Sequence, residues 1–374
     1  MQVKGKYLCY RSLGVALLLT ANTAIGLAQT DSVLDPAGYV NKYQVDFNGI
    51  GPRVYVLPAP RTQEELLSDA YTENRQFTDS ITRALDFQVV LTEFRPTFAE
   101  KGLNREVSAL PPNFQDVNSL VAPELQSGDY KQAYALLHAY ASKALEKKAI
   151  PQALSLLHGA LQQALKTAHT ADVATIQYNL ANLYLYTKDA MQAGAFQEAY
   201  YKAAVANNNK LDQAISLVKL ALIQAADGDS RSAENSIIRK AIPLFNRLKA
   251  YEQKVWAWQC LAKIYQLENK HTEAQWFLIQ ARDLAKSKKY PNELAEIEYM
   301  LAFSKFIQQN YKVAKKEFLQ ADQLAASEDN KLLQLAIIDK LGQVYLVEKE
   351  LDEAQEALSD YQQLRTQLFS GVTE

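Results

Sequence analysis

A small residue returns through this chain at nearly constant intervals. Alanine stands at Ala153, Ala193, Ala233, Ala274, Ala314 and Ala354, separated by 40, 40, 41, 40 and 40 residues. Twelve positions before each lies a second small residue: Ala141, Ala181, Ala221, Ala262, Ala302 and Gly342. Directly before that comes a large apolar one: Tyr140, Leu180, Leu220, Leu261, Leu301 and Leu341. A fixed period in the range of about 20–50 residues marks a stacked repeat architecture. Small residues let two antiparallel helices approach closely, and large neighbours three and four positions away fill the same face. Polar stretches such as Asp227-Gly228-Asp229, Glu268-Asn269-Lys270 and Glu348-Lys349-Glu350 reverse the chain between them. Each helix pair leaves an apolar face that only the next pair can cover, so stability comes from stacking neighbours.

Individual copies carry further detail. Trp258, Leu261, Ala262, Tyr265 and Ala274 resemble the pattern of the tetratricopeptide repeat (TPR) family. So do Ile338, Leu341, Gly342, Tyr345, Ala354 and Leu358, and again Leu180, Ala181, Tyr184 and Ala193. The resemblance covers residues 114–369. It departs from the family in its longer period, which implies longer helices, and in Ala144, Gln224 and Lys305, which replace the tyrosine in three copies. The resemblance implies an all-α helical-hairpin solenoid, a right-handed superhelix of six to seven repeats. The first helix of each pair would line a concave groove for an extended peptide or a helix.

Carried over by position, the groove would present Tyr178, Asn182 and Leu185, then Val218 and Leu222, then Gln259, Lys263 and Gln266. After these come Tyr299, Phe303 and Phe306, and finally Asp339, Gln343 and Leu346. Asn182 matches a family position that holds a peptide backbone. Tyr299, Phe303 and Phe306 form an aromatic stripe that serves either as binding anchors or as packing against neighbouring helices. The family's clamp for a C-terminal carboxylate is not reproduced, since only Lys263 occupies a comparable position.

The start of the chain is different. Lys4, Lys6 and Arg11, the apolar run Leu13–Thr20 and Gly26-Leu27-Ala28 read as a secretory signal over residues 1–28. The apolar run is too short for a spanning helix, and Cys9 precedes it, which argues against a lipoprotein anchor. Cleavage removes three cations and no acid, taking the formal charge from −2 to −5 and leaving Cys260 as the one cysteine. A buried structural thiol suits Cys260 better than a reactive one.

Residues 29–112 hold seven of the chain's 11 prolines and an eighth follows at Pro123; such density interrupts long regular elements. They read as a proline-rich cap or arm of mixed structure that shields the first repeat. Residues 53–57 suit a short strand or an extended arm. A helix over 62–91 presents Leu66, Leu67, Ala70, Tyr71, Asn74, Phe77, Ile81 and Leu85 on one face, while 86–93 suits helix or strand. An entry helix over 113–126 is interrupted at Pro123. Helices then follow near 130–147, 150–168, 172–187, 190–207, 211–226, 230–249, 251–267, 271–287, 292–308, 311–327, 331–347 and 351–369, with a tail at 370–374. Pro243 falls inside one of them and should kink it. The apolar stripe of the last helix, with Glu356, Asp360 and Arg365 facing water, lets it close the array without a separate cap.

The residues show no constellation for catalysis. His138, His158, His169 and His271 lack the spacing of a helical zinc motif, although His138 and His158 could meet across a helix pair. Gly49-Ile50-Gly51-Pro52 lacks the Lys-Ser/Thr of a phosphate loop. Short basic runs at 286–289 and 315–316 are offset by acids, and the negative balance argues against nucleic acid. The expectation is a non-enzymatic scaffold or adaptor that needs no cofactor or metal. It would be exported to the periplasm or secreted by a Gram-negative bacterium, and it would bind a protein or peptide in its groove. Glycan capture, a sensor-input module of a signalling system, and an enzyme sited in 29–112 are the alternatives.

Overall fold

The computed structural model describes residues 61–103 and 117–369. The signal segment, the strand-or-arm stretch 53–57 and the tail 370–374 lie outside them. Helices α1 (Gln63–Arg75), α2 (Thr78–Glu93), α3 (Phe98–Gly102) and α4 (Val117–Ser127) come first. Six hairpins follow among the described residues. They are α5 (Tyr130–Glu146) with α6 (Ile150–Ala164), and α7 (Thr170–Tyr186) with α8 (Ala190–Ala206). Next, α9 (Lys210–Ala226) pairs with a broken helix, α10 (Ser230–Asn235) and α11 (Ile242–Leu248). Then come α12 (Tyr251–Leu267) with α13 (His271–Lys288), and α14 (Leu294–Ile307) with α15 (Tyr311–Ser327). The last pair is α16 (Lys331–Glu348) with α17 (Leu351–Phe369). All belong to one compact unit that begins at Gln63.

The periodic alanines sit where the two helices of a hairpin touch. Ala153, Ala193, Ala233, Ala274, Ala314 and Ala354 are all completely buried, so a larger side chain there would force the helices apart. The turns that end the helices recur at 20 or 21 residues, apart from the one after α6, which holds no left-handed residue. Left-handed residues occur at Gly128, Lys148, Lys188, Asn208, Gly228, Lys249, Asn269, Lys289, Gln309, Asp329 and Lys349. The following amide reaches back five residues, as in Asp189 N–H to Tyr184 O at 3.0 Å and Lys270 N–H to Tyr265 O at 2.9 Å. This is the Schellman ending. In several turns the next residue is an Asp or Asn that caps the following helix: Asp129, Asp189, Asn209, Asp229 and Asn330.

Three expectations need correction. The helix over 62–91 is two helices broken at Gln76-Phe77, and Leu66 faces out while Leu67, Tyr71, Asn74 and Ile81 are buried. Pro123 does not interrupt α4, which runs through it with Val117 and Val121 buried in the turns before it. Pro243 is accommodated upstream, by a π turn over Ser236–Ala241 in which Ile242 N–H bonds to Ile237 O. Proline offers no donor to the carbonyl four residues back, and the wider turn resets the hydrogen-bond register just before it.

The N-terminal helices do not shield the first repeat alone. Helix α1 packs on α16 and α17, α2 on α7 and α16, and α3 on α5 and α7. The segment therefore runs along the face made by the first helices of the hairpins, from the last repeat back to the first. Leu67 packs with Ala354 and Leu358, and Ile81 with Leu335, Ala336 and Tyr361. Arg365, expected to face water, stacks 3.9 Å over the Phe77 ring. The last helix is covered after all.

Candidate functional site

Where α2 ends, Pro96 forbids Arg95 the helical conformation and the chain extends over Phe94–Thr97, with φ/ψ of −65°/121° at Phe94 and −74°/160° at Thr97. This stretch lies across α5, α7 and α9 and is held mostly by polar side chains of the array. Asn179 binds the backbone of Arg95 on both sides: Arg95 N–H donates to Asn179 Oδ1 at 3.0 Å, and Asn179 Nδ2 donates to Arg95 O at 2.8 Å. Asp172 accepts from Phe98 N–H at 2.7 Å and Ala99 N–H at 3.2 Å, and so caps the start of α3. A capping box between Thr97 and Glu100 completes that start.

Side chains of the stretch have sockets of their own. The Arg95 guanidinium lies 3.9 Å over Tyr178, donates to the Tyr200 hydroxyl, and pairs with Asp212 at 3.2 Å. Glu93 forms an ion pair with Lys219, whose side chain is 6% exposed. Burial pulls the Lys219 ammonium down, but Glu93, helped by Tyr178 and Cys260, holds it above the ordinary lysine value. Phe94 lies against the His138 ring at 4.9 Å. Because Asn179 Oδ1 accepts from Arg95, its Nδ2 is the donor to His138 Nε2 at 2.9 Å. In that arrangement His138 Nε2 accepts, and Nδ1–H donates to Glu100 Oε2 at 2.6 Å. Tyr134 donates to Asp172 at 2.6 Å, and its phenol is raised by burial and by that carboxylate.

The sequence-derived groove residues divide. Tyr178 is in the site, buried beneath Arg95. Lys263, on α12 within electrostatic reach of Asp86 of α2, pairs with Glu296 at 2.8 Å; both side chains reach water, and Glu296 raises the ammonium. Gln259 and Gln343 are buried, Gln343 donating to Asp339 at 3.1 Å. Asn182, expected to hold a backbone, is buried with neither amide atom partnered among the described residues. Asn179, three positions earlier and so almost one turn back, takes that role. Leu185 is half-buried at the end of α7.

The aromatic stripe packs rather than lining an open groove. Phe303 meets His271 at 6.4 Å, and Phe306 meets Tyr311 and Phe318 at 5.8 and 6.4 Å, all on second helices of hairpins. Tyr299 contacts Phe318 at 6.1 Å and joins the cluster around Ile81. His138 and His158 have separate partners, the latter the Tyr184 hydroxyl at 2.6 Å. Burial pushes the Cys260 thiol up to about 12.

Sequence reasoning passed over Asp172, Asn179, Asp212, Lys219 and Tyr200, and considered His138 only beside His158. A signal was present: Asp172 and Asp212 are 40 residues apart, as are Asn179 and Lys219. Polar residues recurring in register on an otherwise apolar helix face mark a face that meets something other than the next repeat. Beside this site the channel stays open around α2, as a cavity of about 980 Å³ reached by Phe87, Tyr186, Lys331 and Arg365.

No protein-family model and no curated protein sequence matches the chain. Solved structures do. A Rap protein complexed with competence and sporulation factor is 13% identical, with a TM-score of 0.52 over 81% of this chain and 77% of that one. The fold is a TPR-like helical solenoid. The Rap conjugation gene regulator of plasmid pLS20, in complex with the Phr* peptide, is 10% identical, with a TM-score of 0.50 over 83% of this chain and 98% of that one. A signal-transduction ATPase with numerous domains from Pyrococcus horikoshii, which carries a tetratricopeptide repeat sensor, is 13% identical. Its TM-score is 0.50 over 84% of this chain and 55% of that longer one. At these identities the likeness concerns the fold.

Proposed function

We propose that this protein is a non-enzymatic interaction scaffold of the cell envelope whose inner channel receives an extended segment of a partner protein. The observation that carries the reading is the reciprocal pair of hydrogen bonds between the Asn179 amide and the Arg95 backbone. Main-chain capture of an extended stretch, with neighbouring sockets for side chains, is how peptide-binding surfaces combine affinity with selectivity. Two proteins of similar fold are described in complexes with competence and sporulation factor and with the Phr* peptide, which agrees with a channel built for chain segments. Export rests on the signal-like start at residues 1–28. Glycan capture is less favoured, because Tyr299, Phe303 and Phe306 are half-buried between helices and offer no open platform.

The test is photo-crosslinking in envelope preparations. A photoreactive residue at Lys263, within electrostatic reach of Asp86 of α2, should trap a partner protein. The same residue at Trp276, 57% exposed on a second helix, should not. Products only from position 276, or none from 263, would contradict the reading. Sequencing the mature N-terminus tests export separately; it should begin after Ala28.

A further inference from the structure

The inner face of α5, α7 and α9 is costly for a plain stacking surface. His138, Asp172, Asn179 and Lys219 are all at least nine-tenths buried, and buried polar groups are destabilising unless partnered. Apart from the Tyr134–Asp172 bond, the His138–Asn179 contact and the Lys219 ammonium 5.6 Å from the Trp256 ring, the partners of these four come from residues 93–100. The site is thus complete only when a chain segment fills it. It also has distinct chemical sockets in sequence order: an ammonium for an acidic side chain (Lys219), a ring for an aromatic one (His138), and a Tyr178–Tyr200–Asp212 cage for a guanidinium. A carboxylate, Asp172, then caps a helix start.

Resting on the channel reading above, we propose that Glu93–Ala99 is a built-in stand-in for the partner. The site then takes, from another protein, an extended peptide with an acidic residue, an aromatic, an arginine and a proline in succession, followed by a helix start. The chain's own copy competes. A tethered ligand acts at an effective concentration of roughly millimolar, so a free peptide of equal intrinsic affinity fills the site only near that concentration. The partner binds either because its segment is the better match or because the resident one has been weakened.

The experiment uses the full chain and a fluorescent peptide of residues 93–103. The double variant Glu93→Ala/Arg95→Ala weakens the resident segment and leaves every socket intact. It should bind the peptide about tenfold or more tightly than the unmodified chain does, and adding Asn179→Ala should cost about tenfold or more again. A peptide with alanine in place of its glutamate and arginine should bind correspondingly less. No binding to the folded double variant, or equal binding of both peptides, overturns the proposal. If the double variant loses its helical circular dichroism, the unmodified chain is titrated to several times the roughly millimolar effective concentration. Binding there that Lys219→Met abolishes supports the proposal, and none overturns it. Crosslinking from position 263 alongside a failed peptide test would leave the scaffold reading standing and remove only this one.

Discussion

Glu293 stands near Glu252 and Glu296, and its carboxyl is raised from the ordinary 4.5 to about 7, first by burial and then by those two charges. Between these pH values the folded chain keeps a proton that the unfolded chain has released. Its contribution to stability therefore falls as pH rises from about 4.5 to about 7, and is level above that. Glu293→Gln should flatten this slope and stabilise the chain at pH 8 by roughly 1 kcal/mol. Urea unfolding of both chains at pH 5 and pH 8 checks it; equal differences at the two pH values would count against it. Gly342 makes a second case. The other five copies carry alanine there, but a Cβ on Gly342 would fall 1.9 Å from the Tyr71 hydroxyl, which donates to Ala354 O at 2.7 Å. Gly342→Ala should destabilise by about 1–3 kcal/mol, and Tyr71→Phe by about 1 kcal/mol. The sequence showed Gly342 as one more small residue; only the crossing of α1 explains why this copy lacks a methyl.

At the scale of elements the hairpin is two helix-and-turn units of about 20 residues, and every turn from Gly128 to Lys349 except the one after α6 holds a left-handed residue. A side chain with a Cβ pays about 1 kcal/mol or more in that conformation, yet lysine fills it at Lys148, Lys188, Lys249, Lys289 and Lys349. Glycine at Lys249 or Lys289 should stabilise the chain by roughly 0.5 kcal/mol, the strain relieved less the backbone freedom lost. A raised thermal midpoint checks this, and a lowered one would argue against left-handed geometry at those turns. Helix positions from α5 onward were legible in the sequence because every copy repeats the same small residues at the same places. The π turn before Pro243 was not, since proline announces a disturbed helix but not which side absorbs it. The split of α1 from α2 was hidden because the apolar period continues through Phe77.

On the scale of the whole chain, the array and its resident segment are one folded unit. The solenoid could be read from periodicity, which depends on contacts between neighbouring repeats. The crossing of residues 63–103 could not, because it joins Tyr71 to Ala354, Arg95 to Asn179 and Glu93 to Lys219, pairs that no period relates. For that reason the sequence pointed to a face that includes Tyr178 but not to the chain's own segment lying against it. The most direct measurement is amide hydrogen exchange of the intact chain at Arg95, Phe98 and Ala99, whose N–H groups donate to Asn179 and Asp172. Slow exchange, lost at Arg95 in Asn179→Ala and at Phe98 and Ala99 in Asp172→Ala, is the result expected of a segment seated in the channel. Exchange at the free-chain rate in the unmodified protein would contradict the account.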